Sequence, residues 1–448
     1  MKPSIVPFAP QFQENDRWCA IGDSITHGGW YHSYIHLYYA TRFPKKKLEL
    51  FNCGVNGDSA SRVLARLDDD VLVHRPTVVS VLLGMNDVCR DLYAPGGMGT
   101  DVDEKRVRAF ATFRHDLRTL LSRVQRTGAG IIVVTPTIYD NTLVYCNAEA
   151  NYPGLNSALG RCGEIAIELA AEFGATSINL HDPMTELNAR LQKTNPEFTL
   201  VGLDRVHPGE VGHFVMMYEF LKAQRLSLPV SEVVLNAQSG GILELTGCNV
   251  DNVRIGSGSL DFNCLETALP FPVPPSCLEA LEFLPFTKEF NEEILRVGRL
   301  NPGAYELQID GKVINSYTAE QLSQGVNLAM EPMTPQFQQA QEVLALSARR
   351  TALYGSRLRC IAENEWGFLF GSNVDRGDLK AVKEVLDAKC DGERNQPWYE
   401  FCKSQGVLYM ESKPHEAEYW VEISSLSDEI YRKNVPVRHH YRLSRNHS

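Results

Sequence analysis

Hydrophobic and polar positions divide the chain into two unlike halves. In the first, short charge-poor runs at 18–21, 48–53, 78–83, 131–135 and 176–179 are too brief for helices and read as strands. Between them apolar residues recur at helical spacing. The clearest stretch starts near Asp103, where Val107, Phe110, Phe113, Leu117, Leu120, Leu121 and Val124 mark one buried face and Gly128 stands just past the end. Further helices are predicted over about 30–43, 59–73, 155–173 and 210–226. Strands that alternate with helices need crossover connections, so a parallel sheet with helices on both faces follows. Sheets of that kind bind ligands outside the carboxyl ends of their strands.

Beyond Leu228 and Pro229 the pattern turns β-like, with runs at 242–245, 250–255 and 294–297. Alternating residues at 304–309 and 312–317 flank Asp310-Gly311, the signal of a two-residue hairpin, and this part is expected to be antiparallel. The proline-rich segment 270–275 can neither extend a helix nor pair inside a sheet. Helical spacing returns over 336–359, 378–388 and 415–433, where Pro436 follows the last helix, and the final dozen residues read as frayed and basic. No internal repeat of fixed period is present. Three regions result: 1–228, a β-rich 229–334 and a helical 335–448.

Composition sets outer bounds. A length of 448 residues predicts two or three domains, and 44% hydrophobic with 22% charged residues is the balance of a soluble globular chain with a sizeable core. The net charge of −11 disfavours nucleic acid and anionic lipid and points to a small neutral partner. No apolar run reaches about 18 residues, and the opening from Met1 to Trp18 lacks an apolar signal region. A cytoplasmic location is expected, with export after removal of a signal peptide as the alternative. The 11 cysteines are odd in number and lack a C-x-x-C pair, so they read as reduced thiols and not as bridges or zinc ligands.

Four short blocks lie in loops of the first half. The first strand runs into Ile21-Gly22-Asp23-Ser24-Ile25-Thr26, where a glycine before a serine lets the chain turn sharply and present the hydroxyl at the sheet rim. Such a serine is otherwise a helix N-cap. After the second strand comes Asn52-Cys53-Gly54-Val55-Asn56-Gly57-Asp58-Ser59, which offers either a backbone N–H to a developing oxyanion or a turn with an N-cap. The third strand leads to Gly84-Met85-Asn86-Asp87, where the Asn86 amide is a further donor or a partner for loop backbone groups. In Asp204-Arg205-Val206-His207-Pro208-Gly209 a carboxylate precedes a histidine by three positions. It is placed to hold the ring Nδ1–H and to stabilise the imidazolium formed when Nε2 takes a proton.

In this order the blocks resemble the SGNH hydrolases, also called the GDSL esterase and lipase family, over about 17–226. The matching residues are Ser24, Gly57, Asn86 and His207, with Asp204 in the D-x-x-H pair, while Ile25 replaces the usual leucine and Met85 fills a variable place. The resemblance implies an α/β fold, a three-layer flavodoxin-like parallel sheet, followed here by a smaller β-rich domain and a helical C-terminal tail. It also implies a carboxylic ester hydrolase. Ser24 is then the nucleophile that forms an acyl-enzyme, His207 its base and Asp204 the group that orients His207. The N–H groups of Ser24 and Gly57 and the Asn86 amide form the oxyanion hole. Asp23, Trp30, Tyr31, Met85, Asp87 and Arg205 are candidate supporting or pocket residues. No metal or organic cofactor is required.

Other residues read more plainly as structure. His32 and His36 share a helix face near His27 but lack an acidic third ligand, so they are expected as polar positions near the pocket. His213 is a further ring nitrogen source, although the D-x-x-H pair accounts for His207 better. Asp68, Asp69 and Asp70 read as a solvated helix face and not as a calcium loop, and Lys45 to Lys47 as a surface turn. Tyr34, Tyr38 and Tyr39, with Trp30 and Tyr31, either wall a pocket or fill the core. Trp366, Trp398 and Tyr399 are expected in the core or an interface.

The segments 303–311 and 325–329 resemble accessory regions of bacterial SGNH proteins from polysaccharide-degrading settings. Removal of acetyl or other short acyl groups from carbohydrate is therefore the leading expectation, with an acetylated oligosaccharide as substrate. A short-chain carboxylesterase or lysophospholipase is the alternative among enzymes. A non-catalytic binding or assembly protein derived from a hydrolase is the alternative of another class. Neither nucleic acid nor membrane insertion is expected, and the second half is expected to pack on the catalytic half or to mediate a homodimer.

Overall fold

The computed structural model describes residues 8–396 and 398–446; residues 1–7 of the opening segment and residues 447 and 448 of the last dozen lie outside them. The first half runs β1 (Arg17–Gly22), α1 (Ser24–His27), α2 (Trp30–Arg42), β2 (Glu49–Gly54), α3 (Ala60–Arg66), β3 (Val78–Leu82), α4 (Thr100–Gln125), β4 (Gly130–Val134), α5 (Leu155–Glu172), β5 (Thr176–Ile178), α6 (His181–Gln192) and α7 (Glu210–Ala223). Its five strands pair in the order β2-β1-β3-β4-β5, all parallel. β3 reads Val-Val-Ser-Val-Leu and is buried at every position, as a strand covered on both faces must be. Helices α2 and α7 pack together on one face, and α3, α4 and α5 lie side by side on the other. From β1 the chain goes out to β2 and returns to β3 on the opposite side. The loops after β1 and β3 therefore diverge, leaving the crevice where such sheets hold ligands.

Two helices depart from their spacing. The stretch 59–73 is helical only to Arg66, whose buried guanidinium donates to Asp58 (2.8 Å), Asp70 and the Cys53 carbonyl (2.8 Å). A wide turn, Leu67–Val71, and a tight one, Leu72–His74, follow. Asp68 and Asp69 stay exposed, but Asp70 turns inward between Arg66 and Arg359, so the acidic run is not wholly a solvated face. In α4 the buried face starts at Phe113, and Val107 is exposed.

The second half contributes β6 (Ser231–Asn236), β7 (Gly241–Thr246), β8 (Cys248–Gly256), β9 (Ser259–Glu266), β10 (Glu293–Gly298), β11 (Ala304–Ile309), β12 (Lys312–Thr318), β13 (Val326–Asn327) and β14 (His439–Arg445). They form two sheets, β13-β10-β6-β7 and β12-β11-β14-β9-β8, around one core that includes Leu235, Phe262, Val297, Leu307 and Leu443. Asp310 (φ 50°) and Gly311 (φ 77°) make the two-residue turn that their sequence predicts. Two expectations are corrected here. β10 pairs with β6 in parallel, because after β7 the strands β8 and β9 cross into the other sheet before the chain returns, so the region is not uniformly antiparallel. Nor is the C-terminal stretch frayed: β14 lies between β9 and β11, with His439, Tyr441 and Leu443 alternating inward. At the hairpin tip the Asp310 carboxylate accepts from His439 Nδ1 (2.7 Å) and from the His440 N–H (2.8 Å).

Between β13 and β14 come the longer helices Pro335–Leu353, Leu379–Gly392, Tyr399–Ser412 and Glu416–Lys433. The first packs on α2, and its Arg350 donates to the Leu50 carbonyl (2.6 Å). One hydrophobic core runs without a break from the parallel sheet to Phe271, Phe286 and Phe290 and on to Ala340, Val343 and Ile430. The proline-rich segment is a buried strap, with the Phe271 ring 6.0 Å from that of Tyr38 and 5.4 Å from that of Phe286. Trp398, half exposed, lies at the surface and not in the core. Among the described residues no helix is long and apolar enough to cross a membrane.

Candidate active site

Ser24 opens α1 directly after β1. Gly22 has to be glycine at this turn, because a Cβ there would stand 2.0 Å from Thr26 Oγ1 and 3.0 Å from the Leu82 carbonyl. The Asp23 side chain caps the short helix by accepting the Ile25 N–H at 2.9 Å. Ser24 therefore stands at the rim of the sheet, at the end of β1, with its hydroxyl pointing outward to a histidine 183 positions later: Oγ lies 2.7 Å from His207 Nε2. His207 Nδ1 in turn lies 2.5 Å from Asp204 Oδ2.

The loop that carries Asp204 and His207 is held from both sides. Asp204 Oδ1 accepts the N–H groups of Val206 (3.0 Å) and His207 (3.1 Å), while Val201 and Pro208 pair as an isolated bridge. Arg205 takes a left-handed backbone (φ 67°) and is tied to another loop. Its guanidinium donates to the carbonyls of Asp140 (2.9 Å) and Glu149 (2.8 Å), and its own carbonyl accepts the Asp140 N–H (2.9 Å). Arg205 thus positions the turn and does not face the serine.

Electrostatics suit proton transfer from Ser24. Burial alone would raise the Asp204 carboxyl, but hydrogen bonds from the His207 ring and from two backbone N–H groups hold it down to about 2. That fixed negative charge raises the proton affinity of His207 against the burial that lowers it. Because Asp204 remains an acceptor, Nδ1 carries the ring proton and Nε2 is free to accept one from Ser24.

The second block meets the first where the Val55 N–H donates to the Gly22 carbonyl (3.3 Å), and the third meets the second at Asp58. Val55 to Asp58 is a turn closed by the Asp58 N–H on the Val55 carbonyl (3.2 Å), with Gly57 at φ 71°, a conformation that glycine adopts without strain. Neither the Ser24 nor the Gly57 N–H has a protein acceptor among the described residues. Asn86 Nδ2 gives one hydrogen to the Asp58 carbonyl (2.9 Å), which fixes the amide and leaves its second hydrogen available. Asp58 is anchored by Arg66 and by Arg62 (3.2 Å). The Asn86 amide and the turn at Gly57 are thus joined through Asp58.

The remaining candidates sit at different depths. Asp23 is fully buried, and burial pushes its carboxyl up to about 6. Asp87 accepts the Ala60 N–H (2.8 Å), and burial together with the Asp23 charge pushes it up to about 7. Met85 is packed behind Asn86 in the core. Tyr31 is buried, bonded to Thr26 (3.1 Å) and stacked on His213 (6.1 Å, 4°), so it does not wall a pocket. Trp30 is the exposed member of the aromatic group, whereas Tyr34, Tyr38 and Tyr39 belong to the core. His32 and His36 are buried as well, each donating from Nε2 to a backbone carbonyl (Thr26 and Leu48, both 3.0 Å), which is why they do not line the site.

An open cavity of about 740 Å³ adjoins Asn86, and its wall mixes Arg90, Lys105 and Arg108 with Asp87, Asp91 and Asp116 and with the apolar Leu92 and Phe113. His207 itself is half exposed. Residues that sequence reasoning missed are Asp58 and Arg66, which brace the turn at Gly57, and Asp140 and Glu149, which receive Arg205. Only Asp58 left a signal, standing next to Gly57 in its block.

Residues 20–214 match the family described as GDSL-like lipase/acylhydrolase. The solved structure of a gut microbial diltiazem-metabolizing enzyme is similar along nearly the whole molecule, with 31% identity, a TM-score of 0.89, and coverage of 98% of this chain and 100% of that one. An acetylxylan esterase from Geobacillus stearothermophilus is 25% identical over 217 residues, which span 45% of this chain and 90% of that protein.

Proposed function

Given that the chain belongs to the GDSL-like lipase/acylhydrolase (SGNH) family of carboxylic ester hydrolases, we propose that it is a serine esterase that removes acetyl or other short acyl groups from carbohydrate. The observation that carries this reading is the chain of contacts from Ser24 Oγ to His207 Nε2 (2.7 Å) and from His207 Nδ1 to Asp204 (2.5 Å). Ser24 Oγ attacks the ester carbonyl as His207 Nε2 takes its proton. The oxyanion is met by the N–H groups of Ser24 and Gly57 and by Asn86 Nδ2–H. His207, now an imidazolium held by Asp204, gives its proton to the departing alcohol and leaves an acyl group on Ser24. Water then repeats the two steps and releases the acid.

The similarity to an acetylxylan esterase supports a sugar alcohol. A second reading is favoured by the full-length likeness to a diltiazem-metabolizing enzyme: hydrolysis of acetates on other compact alcohols, since diltiazem carries an acetate ester.

Acid release from aryl acetate, butyrate and decanoate, from acetylated xylo-oligosaccharides and from diltiazem tests both. Acetates should be the best substrates, and Ser24→Ala should lose activity on all. A parent no faster than Ser24→Ala on every ester would end the hydrolase reading, and decanoate outrunning acetate would end the deacetylase reading. A preference for diltiazem over the oligosaccharides selects the second.

A further inference from the structure

The turn that offers the Gly57 N–H is not held by the parallel-sheet half alone. The N–H of Asn56, the residue before Gly57, donates at 3.0 Å to Oε2 of Glu363, a side chain 307 positions away in the helical C-terminal region. Glu363 is buried, with 4% of its surface exposed, in the turn Glu363–Phe368. Neighbouring contacts hold that turn in place. Arg359 donates to the Asn52 carbonyl and to Asp70 (3.1 Å), and Arg62 of α3 donates to the Trp366 carbonyl (2.8 Å). The C-terminal region thus grips the end of β2 and the start of α3, with the oxyanion turn between them.

Ion pairing does not account for Glu363. The nearest ring nitrogen, His27 Nδ1, is 3.8 Å away, and burial lowers the His27 pKa to about 4, so the ring is neutral. Burial, aided by the Asp58 charge, pushes the Glu363 carboxyl up to about 7 against the Asn56 hydrogen bond and the Arg359 charge that lower it. A buried carboxyl in that condition weakens the fold, and its evident contact is the backbone N–H at the entrance of the turn.

We propose that Glu363 is a positioning residue for ester hydrolysis: by accepting the Asn56 N–H it fixes the turn that aims the Gly57 N–H at the substrate oxygen. The role rests on the serine-esterase reading above. Because the Gly57 donor acts on charge that develops in the transition state, loosening its support lowers kcat and leaves substrate affinity in place.

Glu363→Ala and Glu363→Gln in the full chain, assayed beside Ser24→Ala with an aryl acetate, test the role. A displacement of about 1 Å at a reacting centre costs up to about a hundredfold, so Glu363→Ala is expected to lower kcat by about ten- to a hundredfold with KM changed less than about twofold. Glu363→Gln keeps an acceptor oxygen and is expected to recover kcat to within about threefold of the parent. Titration of Ser24 with a fluorophosphonate checks folding: full final labelling at a reduced rate is expected for the alanine variant. The role is overturned if Glu363→Ala keeps its kcat, if the loss is in KM, if labelling stays incomplete, or if glutamine fails to rescue. A parent no faster than Ser24→Ala is a separate outcome that strikes the esterase reading itself.

Discussion

Asp204→Asn changes a single atom and is expected to disable the site through the histidine tautomer. In the parent, Oδ1 accepts two backbone N–H groups at 3.0 and 3.1 Å, and Oδ2 faces His207 Nδ1. The new carboxamide must keep its oxygen on those two donors. The flipped orientation would set an NH2 group against both, at a cost of about 1–3 kcal/mol for each donor left unsatisfied, or about 2–6 kcal/mol in all. With the oxygen so placed, the amide nitrogen points at His207 Nδ1 and donates to it, which drives the ring proton to Nε2, facing Ser24 Oγ. The imidazole then has no lone pair for the serine proton. Activity requires the disfavoured flip, and the imidazolium also loses its counter-charge. In serine proteases the equivalent change costs about ten thousandfold, which at about 1.4 kcal/mol per decade is about 5.6 kcal/mol and lies within the range worked here. Initial rates on an aryl acetate should show kcat down by about three to four decades, no better than Asp204→Ala despite the closer shape. Nitrogen chemical shifts of the His207 ring should report the changed tautomer. A variant within tenfold of the parent, or one with the parental tautomer, would refute the reasoning.

Two further outcomes follow from features already placed. His207 acts as a base only when neutral, and the Asp204 contact raises its pKa, so kcat/KM should fall as pH drops through a midpoint above the ordinary imidazole value, and Asp204→Ala should move that midpoint down. A pH profile flat between about 5 and 8 would contradict this. A chain ended after Leu228 strips Phe271, Phe286 and Phe290 from Tyr38, Phe214 and Tyr218. At about 1.5–3 kcal/mol per buried aromatic side chain the loss is about 5–9 kcal/mol, comparable with the whole stability of a domain. Aggregation on size-exclusion chromatography is expected, and a soluble, monodisperse, fully active product would show the second half to be dispensable.

The parallel half was legible because its signals are local. Each strand is a short apolar run, and each block sits within a few residues of a strand end or a helix start. What escaped depended on distant partners. β14 holds only two inward apolar residues, Tyr441 and Leu443, among arginines and histidines, and its strand character comes from β9 and β11 on either side. Arg66 ends α3 early because a guanidinium with three buried partners outweighs the helical spacing that continues past it. His32 and His36 looked polar by residue type, yet carbonyls at Thr26 and Leu48 satisfy them inside the core. Glu363 carried no pattern at all, since it binds a backbone N–H, which has no residue identity to recognise.

The insertion of β14 between β9 and β11 has a consequence for biosynthesis. Tyr441 and Glu266, which meet at 2.9 Å across that sheet, are 175 residues apart. At about 5–20 residues per second a ribosome needs about 9–35 s to cover that interval. During that time β9, and β11 once it is made, present open edges of unpaired N–H and C=O groups, the kind of edge that recruits strands from other chains. The sheet that holds β14 therefore closes only near the end of synthesis, long after the parallel sheet has emerged. Damage near the C-terminal end would likewise open the middle of a sheet and not merely trim its margin.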